Sequence, residues 1–314
     1  ENVTRGRNVP KERLLEVAKH YEAFGGVSPI NEQNRHIIAM LTEALEKEGP
    51  RLPIYWGNRN WYPFIKDALQ QMRDDGIKKA LAFVTSAYSS YSSCRQYLDD
   101  IDKASKELGE SCPQIDKIRP FFNHPLFVEA NAEHLNQVLN TLPQDQKDSL
   151  YVAFTAHSIP KSMADNCNYS AQLTEVCRLL AEKCKIKTWN LVYQSRSGPP
   201  QIPWLEPDIL AHIRALHQLG VKEILIHPVG FVSDHMEVKY DLDHEAHDLC
   251  KELGIVMHRT PSASINPHFI EMIRDLIIER LEERGEKAAI GNIAALPDQC
   301  AVNCCPLGLA RPPV

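Results

Sequence analysis

No apolar run in this 314-residue chain approaches the roughly 20 residues needed to cross a bilayer, and no secretory signal opens it. A soluble, cytoplasmic protein is the expectation. A basic excess is also missing: 35 Lys and Arg stand against 41 Asp and Glu, for a net charge of -6. Nucleic-acid surfaces need clustered cations to displace counterions, so no nucleic-acid partner is expected. Internal repeats and low-complexity tracts are absent, which excludes a solenoid or array. The nine cysteines are odd in number and unevenly spaced, unlike the even frameworks of secreted disulfide domains. There is no initiator Met either; the sequence opens on Glu1-Asn2-Val3, as a fragment would. What remains is ordinary globular material, 43% hydrophobic and 24% charged, and too long for one ordinary core.

Short β-branched runs alternate with amphipathic stretches. The pattern predicts strands over Leu52–Trp56, Lys79–Val84, Tyr151–Ala156, Thr188–Tyr193, Glu223–Val229 and Ile255–Arg259. Helices are predicted over Asn31–Lys47, Trp61–Asp75, Ser93–Leu108, His124–Leu142, Ser170–Lys183, Pro207–Leu219, Asp234–Leu253 and Pro267–Arg284. Alternation of this kind specifies an α/β fold with parallel sheets covered on both faces. A polar link at Pro143–Ser149 divides the chain into doubly wound units over 1–143 and 150–265, followed by a C-terminal helix at 266–285 and an irregular, cysteine-rich tail at 286–314.

The run from Pro228 to Glu245 is an apolar strand feeding a helix loaded with acids and imidazoles. At 100° per residue, Glu237, Asp241 and Glu245 form one ridge, extended by Asp234 and Asp248. The apolar set Val238, Leu242, Ala246, Leu249 and Leu253 lies one step round, so the ridge borders the buried face. Like charges at that spacing cost about 0.2–0.5 kcal/mol per pair, and burial adds to it. A metal ion or a shared proton would offset the repulsion; a solvated face with scattered acids is the plain alternative.

Ligands of open α/β sheets bind beyond the carboxyl ends of the strands. Four such ends carry polar chemistry: Thr85–Ser92, His157–Pro160, Gln194–Pro200 and Asp234–Glu237. A lone His157 would read as a satisfied core histidine, but a His and a Glu on neighbouring strand ends suit proton transfer or metal ligation near neutral pH.

Four segments together resemble ferrochelatase: Gly25-Gly26-Val27-Ser28-Pro29-Ile30, Thr155-Ala156-His157-Ser158-Ile159-Pro160, Gln194-Ser195-Arg196-Ser197-Gly198-Pro199 with Pro203-Trp204-Leu205, and Gly230-Phe231-Val232-Ser233-Asp234-His235-Met236-Glu237. Asn58-Arg59-Asn60-Trp61 and Ala87-Tyr88-Ser89-Ser90-Tyr91 are similar to the actinobacterial-like branch. The resemblance implies two Rossmann-like domains with a cleft between them, and a lyase that inserts ferrous iron into a porphyrin late in haem synthesis. The porphyrin and Fe(II) are then the partners, with transient contact to neighbouring haem-pathway enzymes. Coproporphyrin III is favoured over protoporphyrin IX by the actinobacterial-like segments. A cobalt or nickel chelatase for another tetrapyrrole, or a non-catalytic haem or iron carrier with a redox-sensing tail, are the alternatives. In the family an opening strand and glycine-rich turn precede the stretch resembling Glu1–Arg7, and their absence here is read as truncation.

On this resemblance His157, Glu237 and His235 are the catalytic candidates, and His157, Glu237, Asp241 and Glu245 the metal candidates. Metal insertion requires two pyrrole protons to leave, the iron to shed water and the ring to bend, so a base is the minimum. Candidates for the ring are Asn58, Arg59, Tyr88, Tyr91, Arg119, Ser195 and Trp204, with Trp61 and Arg196 also considered. Each aromatic could equally be core, and each Arg equally solvated. Cys300, Cys304 and Cys305 crowd a tail too short to bury a core, and such density in the cytosol points to metal. A [2Fe-2S] cluster needs four thiolates. The resemblance implies Cys167 as the distant fourth, with zinc or free thiols as alternatives, while Cys94, Cys112, Cys177, Cys184 and Cys250 are expected to fill helix faces.

Overall fold

A computed structural model describes residues 18, 21–22 and 25–308. The segment Glu1–Arg7, on which the truncation was argued, lies outside the described residues, as does the end of the tail.

The first half contributes α1 (Ile30–Glu48), α2 (Ile65–Asp74), β1 (Lys79–Ala82), a π-helical turn at Tyr91–Arg95 leading into α3 (Gln96–Leu108), β2 (Gln114–Lys117) and α4 (Pro125–Leu139). β1 and β2 pair in parallel. The second half carries β3 (Tyr151–His157), α5 (Tyr169–Lys183), β4 (Thr188–Gln194), α6 (Ile209–Gln218), β5 (Glu223–His227) and β6 (Val256–Arg259), with all four strands parallel in the order β4-β3-β5-β6. α7 (Pro267–Leu281) follows and packs on α1 and α4 of the first half. This is the expected α/β architecture of parallel sheets and crossover helices. Among the described residues no helix is long and apolar enough to cross a membrane.

Local chemistry sets the boundaries. Pro125 and Pro267 open α4 and α7 at the position where a missing N–H costs nothing, and Asn266 accepts from the His268 N–H at 2.9 Å. Asp208 caps α6 at Leu210 and Ala211. The helix predicted from Trp61 starts only at Ile65, because Pro63 cannot continue a hydrogen-bonded turn and Asp67 accepts from the Phe64 N–H instead. Leu52–Trp56 forms no strand; Pro53 lacks a donor and the segment finds no ladder partner among the described residues. β2 was not predicted, since Gln114–Lys117 is only four residues long and all but Ile115 are polar.

One core of aromatic and aliphatic side chains runs through both halves, including Phe121, Phe122, Phe127, Phe154, Leu173 and Phe269. A smaller one lies beneath α6 and the helix after residue 236, around Ile213, Ile226 and Leu242. Two of the residues considered for the porphyrin belong to this interior. Tyr88 is 2% exposed and donates its hydroxyl to the carbonyl of Val229 at 2.8 Å. Arg119 is 1% exposed and forks onto Glu279 of α7 at 2.7 and 2.9 Å, with a third bond to the Ala288 carbonyl. Neither is placed to meet a ring in an open cleft: a phenol and a guanidinium in the interior must satisfy their polar atoms internally, and both have done so. Arg119→Ala leaves Glu279 buried and unpaired, and is expected to cost about 3–5 kcal/mol of stability. Chemical denaturation reads this; a loss under about 1 kcal/mol would show the pair to be dispensable.

Candidate active site

Strand register brings the site together. In the parallel β3–β4 pair His157 is the partner of Gln194, so the two strands end side by side and present His157 next to Ser195. β5 ends one strand over, and its exit loop turns back across β3 at Gly230, whose N–H bonds the Thr155 carbonyl at 2.9 Å. A Cβ at Gly230 would stand 2.6 Å from the Cα of Ala156, so only glycine permits this approach. The loop then delivers His235 and Glu237 to the end of β3. Gln33 of α1 locks it there: its amide nitrogen donates to the Asp234 carbonyl at 3.1 Å and its oxygen accepts from the Asp234 N–H at 3.0 Å.

The helix predicted over Asp234–Leu253 is divided. Met236–Val238 is α-helical, Lys239–Ala246 is π-helical, and His247–Leu253 is α-helical again before Gly254 stops it in the left-handed conformation. A π-helix bonds each N–H five residues back, so the acidic ridge drawn at α-helical spacing is broken up. Asp234 leaves it to pair with Arg259 and to accept from the Ser262 N–H at 3.3 Å. Asp248 pairs with His244 at 3.1 Å. Glu245 is exposed. Asp241 turns inward to accept from the Ser195 hydroxyl and, at 3.1 Å, from the Gln194 amide.

What converges is one carboxylate between two imidazoles. Glu237 Oε2 lies 3.7 Å from His157 Nε2 and 4.0 Å from His235 Nδ1. Glu237 is 58% exposed, whereas His157 and His235 are 32% and 25% exposed. His235 stands edge-on to Phe231 with ring centroids 5.2 Å apart. Burial lowers its pKa against the pull of Glu237, and the neighbouring His157 lowers it further. Burial raises the pKa of Asp241, opposed by the bonds from Ser195 and Gln194. The cluster thus offers imidazole nitrogens, a solvent-facing carboxylate and an acid whose charge burial discourages. Proton removal from a bound ring is chemistry these groups can perform.

The remaining candidates have partners of their own. Arg59 pairs with Asp100 at 2.7 Å, lies over the Tyr97 ring at 4.6 Å, and donates to the carbonyl of Ser92, next to Tyr91. Asn58 bridges to Phe64 and accepts from the Trp56 indole at 3.1 Å. The turn holding Tyr91 approaches the second half where the Ser92 hydroxyl meets Met163. Trp204 bridges to Pro160 beyond His157, under Gly198, where a Cβ would fall 2.4 Å from its indole nitrogen. Its N–H is buried with no partner among the described residues. Arg196 folds onto the carbonyls of Pro199, Pro200 and Ile202, and Trp61 is 66% exposed. Tyr21 escaped the sequence analysis: burial raises its pKa and the charge of Glu237 raises it further, so its hydroxyl stands within electrostatic reach of the site. Nothing in its sequence context signals this.

The tail thiols form a second cluster. Cys304 and Cys305 sulfurs are 3.4 Å apart, and Cys167 feels the charge of Cys304. Cys94 is buried in the Tyr91–Arg95 turn, as expected of a helix-face hydrophobe, and its thiol hydrogen-bonds Cys300. That bond, with Lys117, Cys304 and Arg95 assisting against burial, pulls the Cys300 thiol down to about 6. Burial, then Cys304, pushes Cys305 up to about 12. The donors suit an iron-sulfur cluster in kind. They stand as hydrogen-bonded thiols rather than a closed cage, and among the described residues no three His, Cys, Asp or Glu are arranged to hold a metal ion.

Comparison with known proteins gives a consistent result. The sequence profile of the family described as Ferrochelatase matches residues 4–281. A ferrochelatase of Rhodopirellula baltica is 52% identical over all of this chain and 90% of its own length. A coproporphyrin III ferrochelatase of Streptomyces coelicolor is 46% identical over 99% of this chain and 89% of its own. Among solved structures, SirB from Bacillus subtilis with Fe3+ superposes with a TM-score of 0.56 at 13% identity, covering 79% of this chain and 91% of that one, a likeness of fold.

Proposed function

The chain belongs to the ferrochelatase family and is a metal chelatase that inserts ferrous iron into a porphyrin in haem synthesis, and on that premise we propose that His157 accepts the pyrrole protons with Glu237 and His235 as its partners. The observation that carries this is the single carboxylate oxygen of Glu237 set between two imidazoles, at 3.7 and 4.0 Å, where strand ends meet. As His157 gains a proton, Glu237 stabilises the imidazolium, and its exposed position lets it pass that proton to water. Burial disfavours charge on His235, which makes it the weaker proton acceptor of its pair in this proposal. Asp241, turned inward onto Ser195 and Gln194, and exposed Glu245 are assigned to the route for iron in or protons out; oxygen donors bind Fe(II) loosely enough to release it. Bending of the ring draws on binding energy from its periphery, to which Asn58, Arg59, Tyr91, Ser195 and Trp204 contribute as walls and polar contacts.

The substrate we assign is coproporphyrin III, supported by the actinobacterial relatives named for that porphyrin. Anaerobic insertion assays are expected to give a kcat/KM for coproporphyrin III at least about tenfold above that for protoporphyrin IX, a difference of about 1.4 kcal/mol that two propionate contacts readily supply. A preference for protoporphyrin IX would overturn the assignment. A [2Fe-2S] cluster on Cys167, Cys300, Cys304 and Cys305 is part of the same proposal; when bound it ties the tail to the second half of the chain by metal-thiolate bonds. A cytoplasmic location and transient contact with neighbouring haem-pathway enzymes complete it.

A further inference from the structure

The buried residues of α1 are Ile37, Leu41 and Leu45, one ridge at a spacing of four. One step toward the N-terminus the same ridge carries Gln33, a polar side chain at the head of an apolar row. A primary amide in that place needs partners for both its donor and its acceptor. It finds them 201 positions away, on the backbone of a single residue: the nitrogen donates to the Asp234 carbonyl at 3.1 Å and the oxygen accepts from the Asp234 N–H at 3.0 Å. The same oxygen also accepts from the hydroxyl of buried Ser264 at 3.2 Å.

Asp234 is pinned from its side chain as well, since its carboxylate pairs with Arg259 and accepts from the Ser262 N–H, each at 3.3 Å. His235 follows immediately and Glu237 three residues on. Glu237 is 58% exposed, so packing does little to fix its carboxylate, and its place 3.7 Å from His157 is set by the backbone that leads to it. We propose that Gln33 is a positioning residue for iron insertion: by gripping Asp234 from the first half of the chain, its amide holds the backbone that aims Glu237 at His157. The inference rests on the roles given to Glu237 and His157 above. It has a mechanical consequence, because the geometry of the base then depends on where α1 stands against the second half. Rates are steep in such geometry, a misplacement of about 1 Å costing on the order of 10²-fold.

The test compares the full chain with Gln33→Met, which keeps the length and helix preference of the side chain and removes both bonds to Asp234. Anaerobic insertion into coproporphyrin III gives kcat and KM, and thermal unfolding checks that the variant folds. Gln33→Met is expected to lose about tenfold or more in kcat, with the porphyrin KM within about twofold of wild type. The same substitution in a Glu237→Gln background is expected to cost less than about threefold, because the carboxylate it positions is already gone. A purely structural role would lower the rate by the same factor in both backgrounds, and that result overturns the proposal. Should Gln33→Met not fold, Gln33→Asn replaces it, polar but one methylene too short to reach both backbone groups, with the same losses expected. Turnover of the folded variant within about twofold of wild type, beside a crippled Glu237→Gln, removes the role of Gln33 and leaves the site standing. A Glu237→Gln chain that keeps the wild-type rate removes the reading of the site and this inference with it.

Discussion

His157→Ala lowers the rate of iron insertion by about 10²- to 10⁴-fold, the contribution of a positioned general acid or base, while porphyrin binding stays within a few-fold of wild type. The asymmetry follows from position. His157 is the last residue of β3 and presents its ring nitrogen toward Glu237 instead of into either core, so removing it takes away an acceptor without loosening the walls. Fluorescence quenching of a bound porphyrin reads affinity, and stopped-flow absorption reads insertion. A variant that turns over within about threefold of wild type would place the base elsewhere, with His235 the next candidate at 4.0 Å from the same carboxylate.

Glu237→Gln lowers insertion by at least about 10²-fold, whereas Asp241→Asn and Glu245→Gln each cost about tenfold or less. Glutamine keeps the shape of the Glu237 side chain and removes its charge, so His157 loses the partner that stabilises its protonated form. Asp241 differs because burial already raises its pKa, and asparagine imitates the neutral acid while still accepting from Ser195 and Gln194. Glu245 is exposed, where water replaces a lost carboxylate readily. Steady-state rates at saturating porphyrin and iron distinguish the three. Equal losses would mean that the acids act as one relay and that Glu237 has no privileged place.

How legible this was depended on how local the cause was. β3 and β5 are largely apolar runs with partners on both sides, β4 pairs with β3 alone, and periodicity reads all three to within two residues. β2 is too short and polar to stand out, and Leu52–Trp56 shows that β-propensity without a partner makes no ladder. The strand-end positions of His157 and Glu237 followed from the general rule for open sheets, and the structure brings them within 3.7 Å. The π-helix did not announce itself: one extra residue per bonded ring changes the apolar spacing too little for a single sequence to reveal. Arg119 and Tyr88 were misjudged because residue type suggests a porphyrin contact and says nothing of Glu279, 160 positions away, or of the Val229 carbonyl.

The most direct measurement is a structure of the chain with a non-metallated porphyrin bound. The account predicts the ring in the cleft with its pyrrole nitrogens turned toward His157 Nε2 and Glu237, the π-helix behind them, and its carboxylates directed toward the Asn58–Arg59 side. A ring bound with His157 and Glu237 beyond hydrogen-bond or single-water reach of every pyrrole nitrogen would contradict it.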